Sequence, residues 1–302
     1  MFTFPVTFFS SSAPADPKVY TLGYSMGGNK GGSATATILK VVFSSDTFSE
    51  LLATIDTARF SSGHGTSSTK GYCCGGVGPN NKIDQLTFAS EASTELSATL
   101  GTATDTQGVS STTKAYMMGG SNAGYLTTIQ NLTFSDESVD NNSDSLDTGR
   151  NRMGAVYSDS KGYCAGFEGG GTEINEFVFS SELSAASSTV LSESTGYAGC
   201  YIQDPDKCFW MGGHNGSSYQ NNIDKMVFSS ETRSTISDNL TTATGRLGGV
   251  TTNETNAYAL GGDTGSYIDD VEKFVFSSET TSTLSAKLAD NEYREKGGTF
   301  AE

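Results

Sequence analysis

Shortages bound this chain before any motif is read. Only 17% of its 302 residues are charged, only 5 are proline, and no run of 18 apolar residues occurs. The missing run excludes a membrane-spanning helix. So little proline, beside 17 Phe and 13 Tyr, excludes a disordered linker. Histidine is confined to His64 and His214, too few for a histidine-rich metal centre. The five cysteines, Cys73, Cys74, Cys164, Cys200 and Cys208, are odd in number and form no C-x-x-C pair. Neither a disulfide framework nor a zinc site is indicated. Free thiols in strands behave as small hydrophobes, and their use favours a reducing cytoplasm. Basic residues are also scarce, 18 against 34 acidic ones, for a net charge of −16. That excludes nucleic acid and anionic membranes as partners, since both need a positive surface. The opening MFTFPVTFFSSSAPA has a short apolar stretch but no basic n-region, and reads as part of the mature chain.

What the chain has is repetition. A segment I-x-x-h-x-F, with h apolar, occurs six times, closing at Phe43, Phe88, Phe134, Phe179, Phe228 and Phe276. These residues are spaced by 45, 46, 45, 49 and 48. A Ser- and acid-rich turn follows each one, carrying Asp46, Glu91, Glu137, Glu182, Glu231 and Glu279. Before each segment lies an aromatic followed by glycines, as in KGYCCGG at Tyr72, KAYMMGG at Tyr116 and KCFWMGG at Phe209. Two further short segments complete the unit. Alternating apolar residues and Gly/Asn/Ser/Asp turns argue for strands, and no segment keeps a helical period. Four short strands per unit, six times over, predict an all-β six-bladed β-propeller of four-stranded antiparallel blades.

The aromatic before the Gly-Gly pair and the I-x-x-h-x-F strand give the repeat its resemblance to the kelch family of β-propellers, across essentially the whole chain. Kelch repeats usually carry a tryptophan on the outer strand. Here the single Trp, Trp210, lies on a second strand, and Leu96, Ile236 or Leu284 fills the outer role. The Ser-, Thr- and Gly-rich style is similar to kelch-like propellers carried on phage particles and tails. That likeness implies a virion or tail component.

The organisation expected is an arm or first strand over residues 1–17 and a propeller over 18–302. Two segments compete for the slot that closes the ring: the C-terminal strand, about 297–302, and Pro5–Phe9. The former is favoured, which frees the arm to dock on partner proteins.

Catalytic readings are poor. GYSMGG at Gly23–Gly28 spells the G-x-S-x-G elbow of α/β hydrolases. No helix follows it, and it coincides with the repeat's own aromatic-glycine mark, with either Tyr20 or Tyr24 as the repeat aromatic. Ser25 is therefore expected at a strand end or in a loop, not in catalysis. Asp140-Asn141-Asn142-Ser143-Asp144 has calcium-like spacing but lacks the glycine and glutamate of an EF-hand loop. No enzyme activity, cofactor or metal is expected.

Arginine gives the best binding candidates. Arg59, Arg150, Arg246 and Arg294 fall in the connection between units, with Arg152 beside them. On one rim they would form a guanidinium cluster for carboxylate, phosphate or acidic sugar; alternatively, each pairs with a nearby acid and staples blades. The adjoining loops add Tyr125, His214, Asn215, Tyr219 and Tyr267, which suit sugar hydroxyls and faces. Lys70, Lys114, Lys161 and Lys207, at the opposite end, read as solvated hairpin residues. The function expected is non-enzymatic: a structural or binding propeller that docks on partner proteins or recognises a surface glycan. The alternatives are a cellular interaction module and, least supported, a carbohydrate-active or hydrolytic enzyme.

Overall fold

The computed structural model describes residues 20–77, 81–101, 104–197, 199–204, 206–251, 255–288, 292–293 and 299–301. All regular structure among them is β, in six antiparallel sheets. The second blade illustrates the unit: Gly63–Thr66 innermost, then Lys70–Cys74, Ile83–Thr87 and Ala92–Glu95 at the outer edge. The third to sixth blades repeat it, beginning with inner strands Gln107–Ser110, Gly154–Tyr157, Gly199–Asp204 and Gly248–Thr251. The first blade holds Leu22–Lys30, Ser33–Val42 and Thr47–Thr54. Its inner side is made by the other end of the chain, where Thr299–Ala301 pairs with Leu22–Tyr24 and Glu292–Tyr293 with Asn29–Lys30. Residues 1–17, Arg294 and residues 297–298 lie outside the described residues, as does the Cys200 side chain.

Register resolves the GYSMGG segment. Tyr24 pairs with Lys40 as Tyr72 pairs with Gln85, so Tyr24 is the repeat aromatic. Ser25 lies within the strand opposite Leu39, 2% exposed, rather than at a strand end or in a loop. Leu96, Ile236 and Leu284 directly follow the outer strands and donate their N–H groups back to Ile83, Ile223 and Val271.

The core lies between blades. Six buried apolar clusters each join the facing surfaces of two neighbouring sheets. At the axis the inner strands pack so closely that a Cβ on Gly108 would stand 2.0 Å from the His64 carbonyl oxygen. Only glycine fits there. The Gly-Gly pairs have a related cause: Gly119 has φ +59, and a Cβ on it would meet the Arg150 carbonyl oxygen at 2.3 Å.

At the lower rim, the three repeat marks meet in one joint. The aromatic of each blade stacks on the closing Phe of the next: Tyr24 on Phe88, Tyr72 on Phe134, Tyr116 on Phe179, Tyr163 on Phe228, Phe209 on Phe276 and Tyr258 on Phe43. Centroids lie 5.4–5.7 Å apart, within 19° of parallel. Where the aromatic is Tyr, its hydroxyl donates to the acidic turn residue of that next blade, from Tyr24 to Glu91 at 3.0 Å round to Tyr258 to Asp46 at 2.5 Å. A lysine pairs with the same carboxylate in all six joints. Lys70, Lys114 and Lys161 supply it from two residues before the aromatic. Lys40, Lys225 and Lys273 supply it from the strand opposite. Lys70, Lys114 and Lys161 are thus interblade ion pairs rather than solvated hairpin residues.

All six acidic residues hold φ between 50° and 56°, a left-handed conformation that disfavours a side chain. The strain, about 1–3 kcal/mol each, persists because the surrounding contacts over-determine it. Burial opposes ionisation of Asp46, yet bonds from Lys273 and Tyr258 hold its carboxyl below the usual range. Lys40, working against burial and assisted by Tyr24, does the same for Glu91.

Candidate functional site

The opposite, upper rim carries the linkers from each outer strand to the next inner strand. Bridges such as Thr104 with Ser121, Gly196 with His214 and Gly245 with Asp263 set these linkers against the second-to-third-strand loops. Ser61, Asp105, Tyr197 and Arg246 each follow a bridge point at the axial mouth, and Arg152 holds the matching place in its own linker. All have φ between 50° and 58°. They link round the axis through their backbones, Arg152 N–H to Asp105 O at 3.2 Å, then Tyr197 to Arg152 and Arg246 to Tyr197, both at 2.9 Å.

Their side chains form a polar network. Arg152 and Arg246 stack on Tyr197, with guanidinium carbons 4.9 and 5.0 Å from the ring centre. Arg152 Nη1 binds Glu168 and the Tyr197 hydroxyl, while its Nε lies 3.1 Å from Asp105. The Tyr197 hydroxyl donates to Glu168 at 2.7 Å, and Asn151 Nδ2 donates to the other Glu168 oxygen at 2.9 Å. Burial works against ionisation of Glu168, but Asn151, Tyr197 and Arg152 hold its carboxyl below the usual range. Arg246 faces Asp263 at 3.8 Å with 31% of its side chain exposed. Tyr219 joins this group, its hydroxyl pushed up by burial and by Asp263. His214 meets Tyr219 edge-on at 4.8 Å.

The arginines divide. Arg152 and Arg246 reach the mouth. Arg59 and Arg150, each two residues ahead of a mouth position, turn into the blades and are 0% and 1% exposed. Arg59 pairs with the equally buried Asp84 and donates to the Cys73 carbonyl at 3.1 Å. Arg150 donates to Asp147 and to the Glu173 and Thr148 carbonyls. These two staple the scaffold. Asn215 is taken up in its own turn, its Oδ1 accepting from Ser217 and Ser218 N–H. Tyr125, 49% exposed, lies in the third blade's loop against Gly149. Tyr267 faces the first blade's turn at Gly32. Tyr267 also pairs in register with Asp263 of the network.

Sequence reasoning passed over Asp105, Glu168 and Tyr197. Their common signal is a fixed offset from the Gly-Gly pair and the linker, visible once the six units are aligned. It also treated every thiol alike. Cys73, Cys74, Cys164 and Cys208 are buried and form no disulfide. Burial opposes ionisation of Cys73, but Arg59 and His64 draw its thiol down to about 6. Burial and the Cys73 charge push Cys74 the other way. Asp140 and Asp144 lie on the outer strand Val139–Ser145, and Asp144 accepts from Ser184 N–H. Among the described residues, no three His, Cys, Asp or Glu side chains are grouped to hold a metal. Among the described residues no helix is long and apolar enough to cross a membrane. The chain matches no protein-family model and no curated protein.

Proposed function

We propose that the protein is a non-enzymatic binding propeller whose upper mouth, around Arg152, Tyr197, Arg246, Tyr219 and His214, contacts the ligand or partner. One observation carries this reading. Equivalent lower-rim positions repeat the same joint in every blade, whereas equivalent mouth positions hold Ser61, Asp105, Arg152, Tyr197 and Arg246. A scaffold needs sameness at repeated positions; recognition needs difference. Arginine and tyrosine are also the residues that most often dominate interfaces.

The kelch-like pattern and the phage-like style extend the proposal to a structural component of a virus particle or tail, docking on a partner protein or a surface glycan. Binding of the purified protein to virion proteins, host surfaces and a glycan array tests it, with Arg152→Ala/Arg246→Ala as the comparison. Loss of at least ten-fold in affinity is expected, about 1.4 kcal/mol. Unchanged binding by the double variant would remove the mouth from the reading.

A further inference from the structure

Asn215-Gly216 is the only Asn-Gly pair in the chain. It opens the turn between the strands Lys207–His214 and Tyr219–Val227 of the fifth blade. Glycine after asparagine matters because no Cβ shields its backbone nitrogen. Gly216, exposed and at φ +92, leaves that nitrogen open to the side chain before it.

Several groups converge on this pair. The Gly216 N–H donates to His214 Nδ1 at 3.1 Å, so that ring nitrogen is the unprotonated one. Asn215 Oδ1 accepts from the Ser217 and Ser218 N–H groups at 2.9 and 2.8 Å, and from the Ser218 hydroxyl at 3.4 Å. The His214 ring stands edge-on to Tyr219, its partner across the strand pair. The turn itself is closed by Asn215 N–H donating to the Ser218 carbonyl at 3.1 Å. A base on the attacking nitrogen and donors on the amide oxygen together favour a tetrahedral adduct at the amide carbon.

We propose that Asn215 is a self-modifying site, converted by its own turn to aspartate and isoaspartate with His214 as the base. The Gly216 nitrogen bonds to Asn215 Cγ while its proton passes to His214 Nδ1. Negative charge gathers on Oδ1, where the Ser217 and Ser218 N–H groups hold it. The Cγ–Nδ2 bond then breaks, and Nδ2 leaves as ammonia with the proton returned by His214. Water opens the cyclic imide at either carbonyl. Both products add a carboxylate beside the His214–Tyr219 pair at the upper mouth, and isoaspartate also lengthens the turn's backbone by one methylene.

The test follows conversion of Asn215 in the full-length chain at neutral pH, by mass spectrometry and an isoaspartate assay. The same chain unfolded in guanidinium is the reference. The folded chain should convert Asn215 at least about ten-fold faster, and His214→Ala should remove that advantage. His214→Phe, which keeps a ring against Tyr219 without a nitrogen, should do the same. The sign separates base from brace: if His214 only steadies the turn, its loss loosens the loop and speeds conversion. Asn215→Gln, whose extra methylene disfavours the ring closure, should abolish the signal. Folded conversion no faster than unfolded would overturn the proposal. So would His214 variants that convert as fast as the parent chain or faster.

Discussion

The two rims of the propeller use repetition in opposite ways. At the lower rim an aromatic pair, a left-handed acidic residue and a lysine recur in all six joints, the lysine coming from two residues before the aromatic in three joints and from the strand opposite in the other three. At the upper mouth the backbone repeats, φ value and hydrogen bond alike, but the side chains do not. Shape is thus held constant on both rims while chemistry is held constant on only one. Stability should therefore reside mainly in the lower joints, and recognition in the mouth.

Removing a ring from the lower rim should have the largest effect. Tyr116→Ala deletes contacts with Phe177 and Phe179 and the bond to Glu182, and should lower stability by about 3–5 kcal/mol in urea unfolding. A loss below about 1 kcal/mol would locate the stability elsewhere. Acid and alkali should attack the same joints next. Asp46, Glu91 and Glu231 are held below the usual carboxylate range, so their contribution is complete above about pH 4 and is lost as pH falls through their folded values. Tyr24, Tyr72, Tyr163 and Tyr258 are pushed up by burial first and the neighbouring carboxylate second, so theirs is complete below about pH 10 and lost above it. Melting temperature against pH should fall steeply at both ends; a curve lacking the alkaline limb would contradict the tyrosine–carboxylate bonds.

A smaller change isolates the hydroxyl. Tyr258→Phe keeps the stack on Phe43 but leaves Asp46 one donor short, and should cost about 2 kcal/mol. The fifth blade offers the reverse experiment, because Phe209 lacks that hydroxyl. Phe209→Tyr should gain about 1 kcal/mol by reaching Glu279, and a destabilised variant would show that this joint differs from the rest. Arg246→Ala should change stability least, by under about 1 kcal/mol, while abolishing most of the binding. Equal losses of stability and binding would erase the contrast between the rims.

Much of this was legible in the sequence. Tyr72, Phe134 and Glu137 announce three periodic marks, enough to count blades and exclude helices. What could not be read was that the three meet, since Tyr72 touches Phe134 and Glu137 only across a blade boundary. For the same reason Lys70 looked like a turn residue. At the mouth, closeness in sequence misled. Arg150 and Arg152 stand two positions apart, yet one is buried in the blade and the other lies at the axis. The left-handed conformation that separates them is usually flagged by glycine or asparagine, and at Arg152, Tyr197 and Arg246 neither is present.

The pairing of Thr299–Ala301 with Leu22–Tyr24 has a consequence in time. During synthesis at about 5–20 residues per second, the inner side of Leu22–Lys30 would wait roughly 15–55 s for its partner. Until then the growing chain is an open arc, with an unpaired strand at its first-made end and each later blade docking beside the previous one.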